Sequence, residues 1–393
     1  MNRIKDKIEL SDIFEQYGQE YRQKHNLCQE QVKAMEAIEN CRTSKLGGHK
    51  LKCNECGHEQ ISYNSCRNRH CPKCQMLKQL MWVDKLKAQL LPVRYFHIVF
   101  TLPEELRLLV YINQKILYDA LFIASSYALK KVALNPAFLG AETGSVAVLH
   151  TWGQSLTYHP HLHMLVPAGG LDPDGWEWKH SSRKFFVPVK ALSKIFRGKF
   201  LEILRLKYEK KELTLPQNTE VIQYNDFESL KKILYMQNWN VYIKKTFGGP
   251  GQVISYLGRY THRVAISNSR LISIENNKVR FSWKDYKNHN KWKEMELSAE
   301  EFIRRFMQHI LPCGFYKIRY FGLFASVNRK IKIAQCFQLL GTSPEIPSYE
   351  GLPCQIVLEM LTGKDIFLCP ACKKGRLLIT SVFNGKEKCL WTA

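Results

Sequence analysis

The chain has 393 residues, which favours two to four domains, and 45% of them are apolar, which excludes a disordered chain. Its 58 basic residues exceed its 35 acidic ones, giving a formal net charge of +23. This excess favours nucleic acid as a partner, although a merely soluble basic protein can carry such a charge too. No apolar run suits a secretory signal or a membrane span, so we expect a cytoplasmic protein with no membrane partner.

The predicted elements mix helices and strands along the whole chain. In chain order we predict a helical segment over 1–40, a helix over 76–92, a strand over 95–102, helical structure over 104–135, neighbouring strands over 145–152 and 159–166, a basic helix over 195–211, a strand over 279–286 and a helix over 298–310. Residues 41–75 interrupt this pattern with cysteines and histidines set among polar residues.

Thirteen cysteines in a reducing compartment favour metal ligands over disulfides. The pairs Cys53-x2-Cys56 and Cys71-x2-Cys74 have the spacing of zinc knuckles, so we predict that these four thiolates share one tetrahedral zinc. Such a zinc stabilises a small, core-poor domain and does not by itself imply catalysis.

Four further residues interleave with these pairs, namely Cys41, His49, Cys66 and His70. A cross-braced arrangement would use them for a second zinc, and the alternative is that they serve structure or face DNA. Between them, Arg67 and Arg69 suit phosphate contacts. In the tail, Cys369-x2-Cys372 is half of a zinc knuckle, for which Cys354 or Cys389 would complete the ligands.

Three histidines alternate in the predicted strand over 159–166. His159, His161 and His163 therefore share one face of the strand, a pattern that favours a divalent-metal site over a buried structural histidine. Two imidazoles bind Mg²⁺ or Mn²⁺ poorly, so we expect a third ligand. Counting back across a hairpin turn makes Gln154 the first choice, with His159 and His150 behind it.

Two tyrosines lie four residues apart in a segment that is predicted to be helical. Tyr256 and Tyr260 project from one face, beside Arg259 and Arg263. An aromatic pair of this kind is often buried in a core, but the neighbouring charges argue against that here. A tyrosine hydroxyl can attack a phosphodiester if a metal and arginines stabilise the developing charge.

Together these motifs resemble the two-tyrosine HUH transposases of rolling-circle insertion sequences. The similarity extends over most of the chain and includes the segments 66–74, 153–163, 247–250, 256–263, 281–286 and 361–372. It implies an α+β fold, with an HUH nuclease core of central antiparallel sheet flanked by helices and a small N-terminal zinc-binding domain. We expect a helical segment over 1–40, the zinc-binding domain over 41–78, the nuclease domain over 90–270 and a C-terminal region over 271–393.

The resemblance also implies an activity. A tyrosine, Tyr256 or Tyr260, would cut single-stranded DNA at transposon ends and form a 5′-phosphotyrosine, with Mg²⁺ or Mn²⁺ on His161 and His163 and with Zn²⁺ as structural metal. Three alternatives remain at this point: a rolling-circle replication initiator or relaxase with the same chemistry, a non-catalytic zinc DNA-binding regulator, and a metal-dependent hydrolase that activates water.

Overall fold

The protein has an α+β fold around a central antiparallel sheet, as the family resemblance implied. The computed structural model describes residues 7–182, 186–216, 227–247, 264–285, 288–327 and 329–385, and the side chains of Met76 and of 245–247 are not described. Within this part of the chain, no helix is both long and apolar enough to cross a membrane.

The described helices and strands are numbered in chain order. The helices are α1 (Leu10–Lys24), α2 (Gln29–Glu39), α3 (Gln75–Lys87), α4 (Arg107–Ile112), α5 (Gln114–Ala133), α6 (Val189–Glu209), α7 (Phe227–Met236), α8 (Ala299–Met307), α9 (Arg329–Leu339) and α10 (Cys354–Thr362). The strands are β1 (Gly48–Cys53), β2 (Glu59–Tyr63), β3 (Tyr95–Thr101), β4 (Gly144–Trp152), β5 (Tyr158–Pro167), β6 (Gly169–Leu171), β7 (Trp178–His180), β8 (Val241–Phe247), β9 (Leu271–Glu275), β10 (Lys278–Asp285), β11 (Lys291–Ser298), β12 (Ile318–Gly322) and β13 (Leu377–Phe383).

The central sheet has five strands in the order β12-β4-β5-β3-β8, and every neighbouring pair is antiparallel. One face is apolar because alternate residues such as Phe100, Leu149, Leu162 and Met164 point to it. Helices α4 to α7 cover that face and complete the largest core. The opposite face of the middle strands carries the histidines, so the fold places them away from this core.

A second core joins the N-terminal helices to a three-stranded sheet of β9, β10 and β11. Phe14 of α1 packs edge-on against Phe306 of α8, and Phe281 of β10 packs against Phe302. The α8 helix is strongly amphipathic, and Ser298 caps it by accepting a hydrogen bond from the Glu301 backbone N–H. Buried Cys41 and Cys71 belong to the same core, so the cysteine-rich segment packs on it.

The C-terminal part is not a separate body. Strand β12 forms an edge of the central sheet, α9 packs in a third core with Tyr95 and Leu165, and β13 pairs with β1. The expected region over 271–393 is thus distributed among three places. Long-range strand pairing of this kind leaves no local sequence signal, which explains why a simple division of the chain did not anticipate it.

Candidate functional site

The histidines lie on a hairpin formed by the two middle strands of the central sheet. Strands β4 and β5 are joined by a short turn, and His150 of β4 pairs directly with His161 of β5. Cross-strand partners point to the same face, and His163 follows two residues later on that face. The sequence predicted this strand and its alternation, and the structure places His150, which the sequence ranked behind Gln154, beside His161.

The imidazoles of His150, His161 and His163 converge. One ring nitrogen from each lies within 4.8 Å of the others. The Nδ1–H of His161 donates to the carbonyl oxygen of His159 at 2.7 Å, since a carbonyl can only accept. Its Nε2 therefore carries the lone pair that a metal ligand needs. Burial lowers the pKa of His161 to about 4, which keeps the ring neutral at physiological pH. This donor set fits a divalent cation.

His97 of β3 extends the histidine cluster, and the sequence reasoning missed it. Its Nε2 lies 2.7 Å from Nδ1 of His163, and the two rings are stacked with centroids 5.0 Å apart. Burial, with a smaller contribution from Lys244, lowers the pKa of His97 to about 4. A neutral histidine here can orient His163. The available signal was a lone histidine within an otherwise apolar strand.

The predicted third ligand lies elsewhere. Strand β4 ends at Trp152, and Gln154 lies in the turn, where its backbone carbonyl accepts a hydrogen bond from Arg270 at 2.5 Å. A register shift between His150 and Trp152 breaks the alternation from which Gln154 was predicted. The ring of His159 lies 5.3 Å from that of His161, but His150 takes the position directly beside His161.

The predicted nucleophiles Tyr256 and Tyr260, with Arg259 and Arg263, lie outside the described residues. Their role therefore stays a prediction. The described chain ends before them at Phe247 of β8 and resumes after them at Val264.

The cysteines form two groups, and their pairing differs from the prediction. The first cysteine cluster contains Cys41, Cys66, Cys71 and Cys74, and the second contains Cys53, Cys56, Cys369 and Cys372. The pair Cys53/Cys56 thus lies with the tail pair and not with Cys71/Cys74. Cys354, which was expected as a possible further ligand of the tail knuckle, lies in neither cluster. The other candidate, Cys389, lies outside the described residues.

The first cysteine cluster is formed where α2 ends and α3 begins. Its Sγ atoms lie 3.5 Å apart for Cys41 and Cys74, 3.6 Å for Cys66 and Cys74, and 3.7 Å for Cys41 and Cys71. Four sulfurs around a tetrahedral zinc, each at about 2.3 Å, lie about 3.8 Å from one another. The cluster therefore fits a zinc ion.

Neither predicted histidine joins a cysteine cluster. His70 is half-buried and its Nε2 accepts a hydrogen bond from the Leu311 backbone N–H at 3.3 Å, while desolvation holds its pKa well below the usual value. His49 is the second residue of β1. The predicted cross-braced site with these histidines is wrong, because each of the two clusters consists of four cysteines.

Arg69 is occupied within the protein. Its guanidinium donates to the backbone carbonyls of Phe315 at 2.6 Å, Leu311 at 3.0 Å and Pro312 at 2.6 Å. It therefore fastens the loop that precedes β12 to the first cysteine cluster, which is a different role from the phosphate contact expected. Arg67, in contrast, is exposed.

We expect Arg69→Ala to lower the free energy of unfolding by about 2–3 kcal/mol, because it removes charge-assisted hydrogen bonds to three carbonyls. Urea unfolding measures this loss, and Arg67→Ala serves as the matched control with little effect. Equal stability of the two variants would contradict this structural role of Arg69.

The fold and the site describe a protein with a cysteine-rich N-terminal module and a histidine cluster on an antiparallel sheet. The family described as "Putative transposase" matches residues 144–331, and "Transposase zinc-binding domain" matches residues 13–102. The first match contains all three histidines of the cluster, and the second contains all of the first cysteine cluster.

Two relatives match over most of their length. The "Putative transposase y4qJ" of Sinorhizobium fredii is 46% identical over 96% of each chain. The "Transposase for insertion sequence element IS801" of Pseudomonas savastanoi pv. phaseolicola is 30% identical over 88% of this chain and 82% of that protein. The chain belongs to this family of insertion-sequence transposases, the IS91 and IS801 type.

One solved structure also aligns, that of TrwC complexed with a 27-mer DNA comprising the recognition hairpin and the cleavage site. The alignment has 11% identity and a TM-score of 0.23, and it covers 44% of this chain and 68% of that one. A TM-score this low carries no argument about fold or function.

Proposed function

We propose that this transposase cuts and rejoins single-stranded DNA through a 5′-phosphotyrosine, with Tyr256 or Tyr260 as the nucleophile. The observation that carries the proposal is the convergence of His150, His161 and His163 on one sheet face. A transposase needs a site for phosphodiester chemistry. This cluster offers neutral nitrogen ligands, and its rings lie on the sheet face opposite the largest apolar core, so packing in that core does not account for them.

The histidine cluster would hold a divalent cation, Mg²⁺ or Mn²⁺. Such an ion, when bound, supplies Lewis-acid stabilisation of charge on the scissile phosphate. The residues of this chain position it: His161 is oriented by its bond to the His159 carbonyl, and His163 by His97. His150 replaces Gln154 as our proposed third ligand.

The tyrosine chemistry exchanges one ester for another. The Tyr Oη–P bond forms while the P–O3′ bond breaks, and the strand leaves with a 3′-hydroxyl. Since the phosphate stays esterified, a 3′-hydroxyl can later attack the phosphotyrosine and rejoin the strands without ATP. The second tyrosine would serve the matching cut.

The described segments on both sides of the tyrosines support this assignment. Strand β8 is separated from β5 by β3 alone, so it runs about 10 Å from the histidine strand. Tyr256 is the ninth residue after Phe247, and a link of this length spans at most about 30 Å. Beyond Tyr260, Ala265 and Ile266 are buried in the second core. A link of this length would allow the tyrosines to reach the histidines.

Basic side chains offer a route for the DNA backbone beside the hairpin. Arg107, Arg304 and Arg305 line a cavity of about 320 Å³ together with Tyr111 and Tyr158. Arg107 is near enough to contribute to the lowered pKa of His159, after burial. Arginine and aromatic side chains suit phosphates and unstacked bases of a single strand.

We assign the structural zinc of the N-terminal domain to the first cysteine cluster. All four thiols lie within the segment that matches the transposase zinc-binding domain. Lys73, between two ligands, pairs with Glu9 at the start of α1 at 2.7 Å. A zinc here would hold α2, α3 and α1 together and so position the N-terminal module on the second core.

Covalent capture tests the proposal. Labelled single strands that tile the DNA flanking the gene are incubated with the protein and Mn²⁺, and the products are separated under denaturing conditions. We expect a protein–DNA adduct from the wild type and none from Tyr256→Phe/Tyr260→Phe. Tyr316→Phe, at an exposed tyrosine, is the matched control and should form the adduct normally.

Two outcomes would contradict the proposal. Cleavage without any adduct would indicate a hydrolase that uses water. Failure to cut or link any strand, with the protein folded and metal present, would instead favour a DNA-binding protein without catalysis.

A further inference from the structure

We propose that the second cysteine cluster is a tetrathiolate zinc site built from both ends of the chain, with Cys53 and Cys56 from one end and Cys369 and Cys372 from the other. The family match to a zinc-binding domain ends at residue 102, so it includes only half of these ligands. The inference does not depend on the catalytic proposal.

The sulfur geometry is that of a zinc site. The Sγ atoms of Cys53 and Cys372 lie 3.7 Å apart, and those of Cys56 and Cys369 lie 3.6 Å apart. Each of these contacts joins one end of the chain to the other, and all four sulfurs lie within 4.8 Å. The distances are close to the roughly 3.8 Å expected between sulfurs of a zinc tetrahedron.

The two cysteine pairs adopt matching turns. The Gly57 N–H donates to the Cys53 carbonyl at 3.2 Å, and the Lys373 N–H donates to the Cys369 carbonyl at 3.0 Å. Gly57 and Lys373 follow the second cysteine of each pair, and both have positive φ, at 72° and 55°. Two local turns of the same form, each presenting two thiols to one point, are what a knuckle-type zinc site requires.

Backbone N–H groups are aimed at the sulfurs. The Glu55 N–H lies 3.4 Å from the Cys53 Sγ, and the Gly375 N–H lies 3.3 Å from the Cys372 Sγ. Such bonds stabilise thiolates, which are the form that binds zinc. A Cβ on Gly375 would lie 2.5 Å from the Cys53 Sγ, so only glycine allows the tail to approach the first pair this closely.

Contacts around the cluster hold the two ends in register. The Asn54 N–H donates to the Arg376 carbonyl at 3.1 Å, and the Arg376 N–H donates to Asn54 Oδ1 at 2.7 Å. Strand β13 then continues the pairing with β1. The zinc would stabilise this sheet where β1 ends and β13 begins. The N-terminal module would therefore be complete only when the C-terminal segment is packed against it.

Zinc content tests the inference. The full-length chain is purified with His161→Ala/His163→Ala, so that zinc at the histidine cluster does not contribute, and metal per chain is measured by mass spectrometry. We expect two zinc ions, one for each cysteine cluster. Cys369→Ser/Cys372→Ser should leave one, as should Cys53→Ser/Cys56→Ser. Cys313→Ser/Cys354→Ser, at exposed cysteines outside both clusters, should keep two.

One zinc in the parent protein, or two after loss of the tail pair, would overturn the inference. If the cysteine variants fail to fold, X-ray absorption is measured on the zinc of the His161→Ala/His163→Ala protein and is read together with its zinc content. A shell of sulfur alone at about 2.3 Å is expected, and a nitrogen or oxygen shell would contradict tetrathiolate sites.

Discussion

We expect His161→Ala to reduce cleavage of single-stranded DNA about 1,000-fold. Metal stabilisation of charge in the transition state is worth several kcal/mol, and about 4 kcal/mol corresponds to that factor. His161 is the best position for this test, because its Nδ1–H donates to a backbone carbonyl, that of His159, and the substitution breaks no hydrogen bond to another ring of the histidine cluster. His163→Ala would also remove the hydrogen bond to His97 and so mix two effects.

Initial rates on a labelled strand at saturating Mn²⁺ measure the loss. His180→Ala, at an exposed histidine of β7, is the matched control and should cut at the wild-type rate. We expect a comparable loss for His150→Ala, because it removes another proposed ligand of the same cation. Wild-type cleavage by a folded His161→Ala protein would show that the histidine cluster does not take part.

The second large effect concerns the first cysteine cluster. We expect Cys71→Ser to lose one zinc per chain and to destabilise the N-terminal module severely. Structural zinc contributes about 10–16 kcal/mol of apparent binding free energy in small zinc modules, which equals or exceeds the whole stability of a typical domain. Cys71 is fully buried in the second core, so the loss should extend to α1 and α2.

Thermal unfolding and zinc content measure this effect together. Cys313→Ser, at an exposed cysteine outside both clusters, is the control and should match the wild type. A Cys71→Ser protein that keeps its full zinc content and melts at the wild-type temperature would contradict the assignment of the structural zinc to this cluster.

The sequence predicted the histidine strand well because its signal is local. Alternation of His159, His161 and His163 fixes their shared face in any strand, and the fold confirms that strand within a central antiparallel sheet. The third position required knowledge of the neighbouring strand. The strand register shifts between His150 and Trp152, so counting residues back from the turn does not give the correct position. This is why the sequence favoured Gln154, whereas His150 occupies the place beside His161.

The cysteine pairing could not be read from spacing. Each Cys-x2-Cys pair specifies a local turn but not its partner, and Cys53/Cys56 meets a pair more than 300 residues away. The same limit applies to Arg69. Its position between two cysteines suggested a phosphate contact, but the loop around Phe315 provides the carbonyls that it binds, and that loop is distant in sequence.

Mapping the covalent adduct tests the central claim most directly. Trypsin separates the two tyrosines, because Arg259 lies between them: Tyr256 falls in the peptide 246–259 and Tyr260 in the peptide 260–263. After capture with Mn²⁺ and nuclease trimming, mass spectrometry should find a nucleotide esterified to Tyr256 or Tyr260. An adduct located only on another residue, or a cut strand with neither peptide modified, would contradict the account.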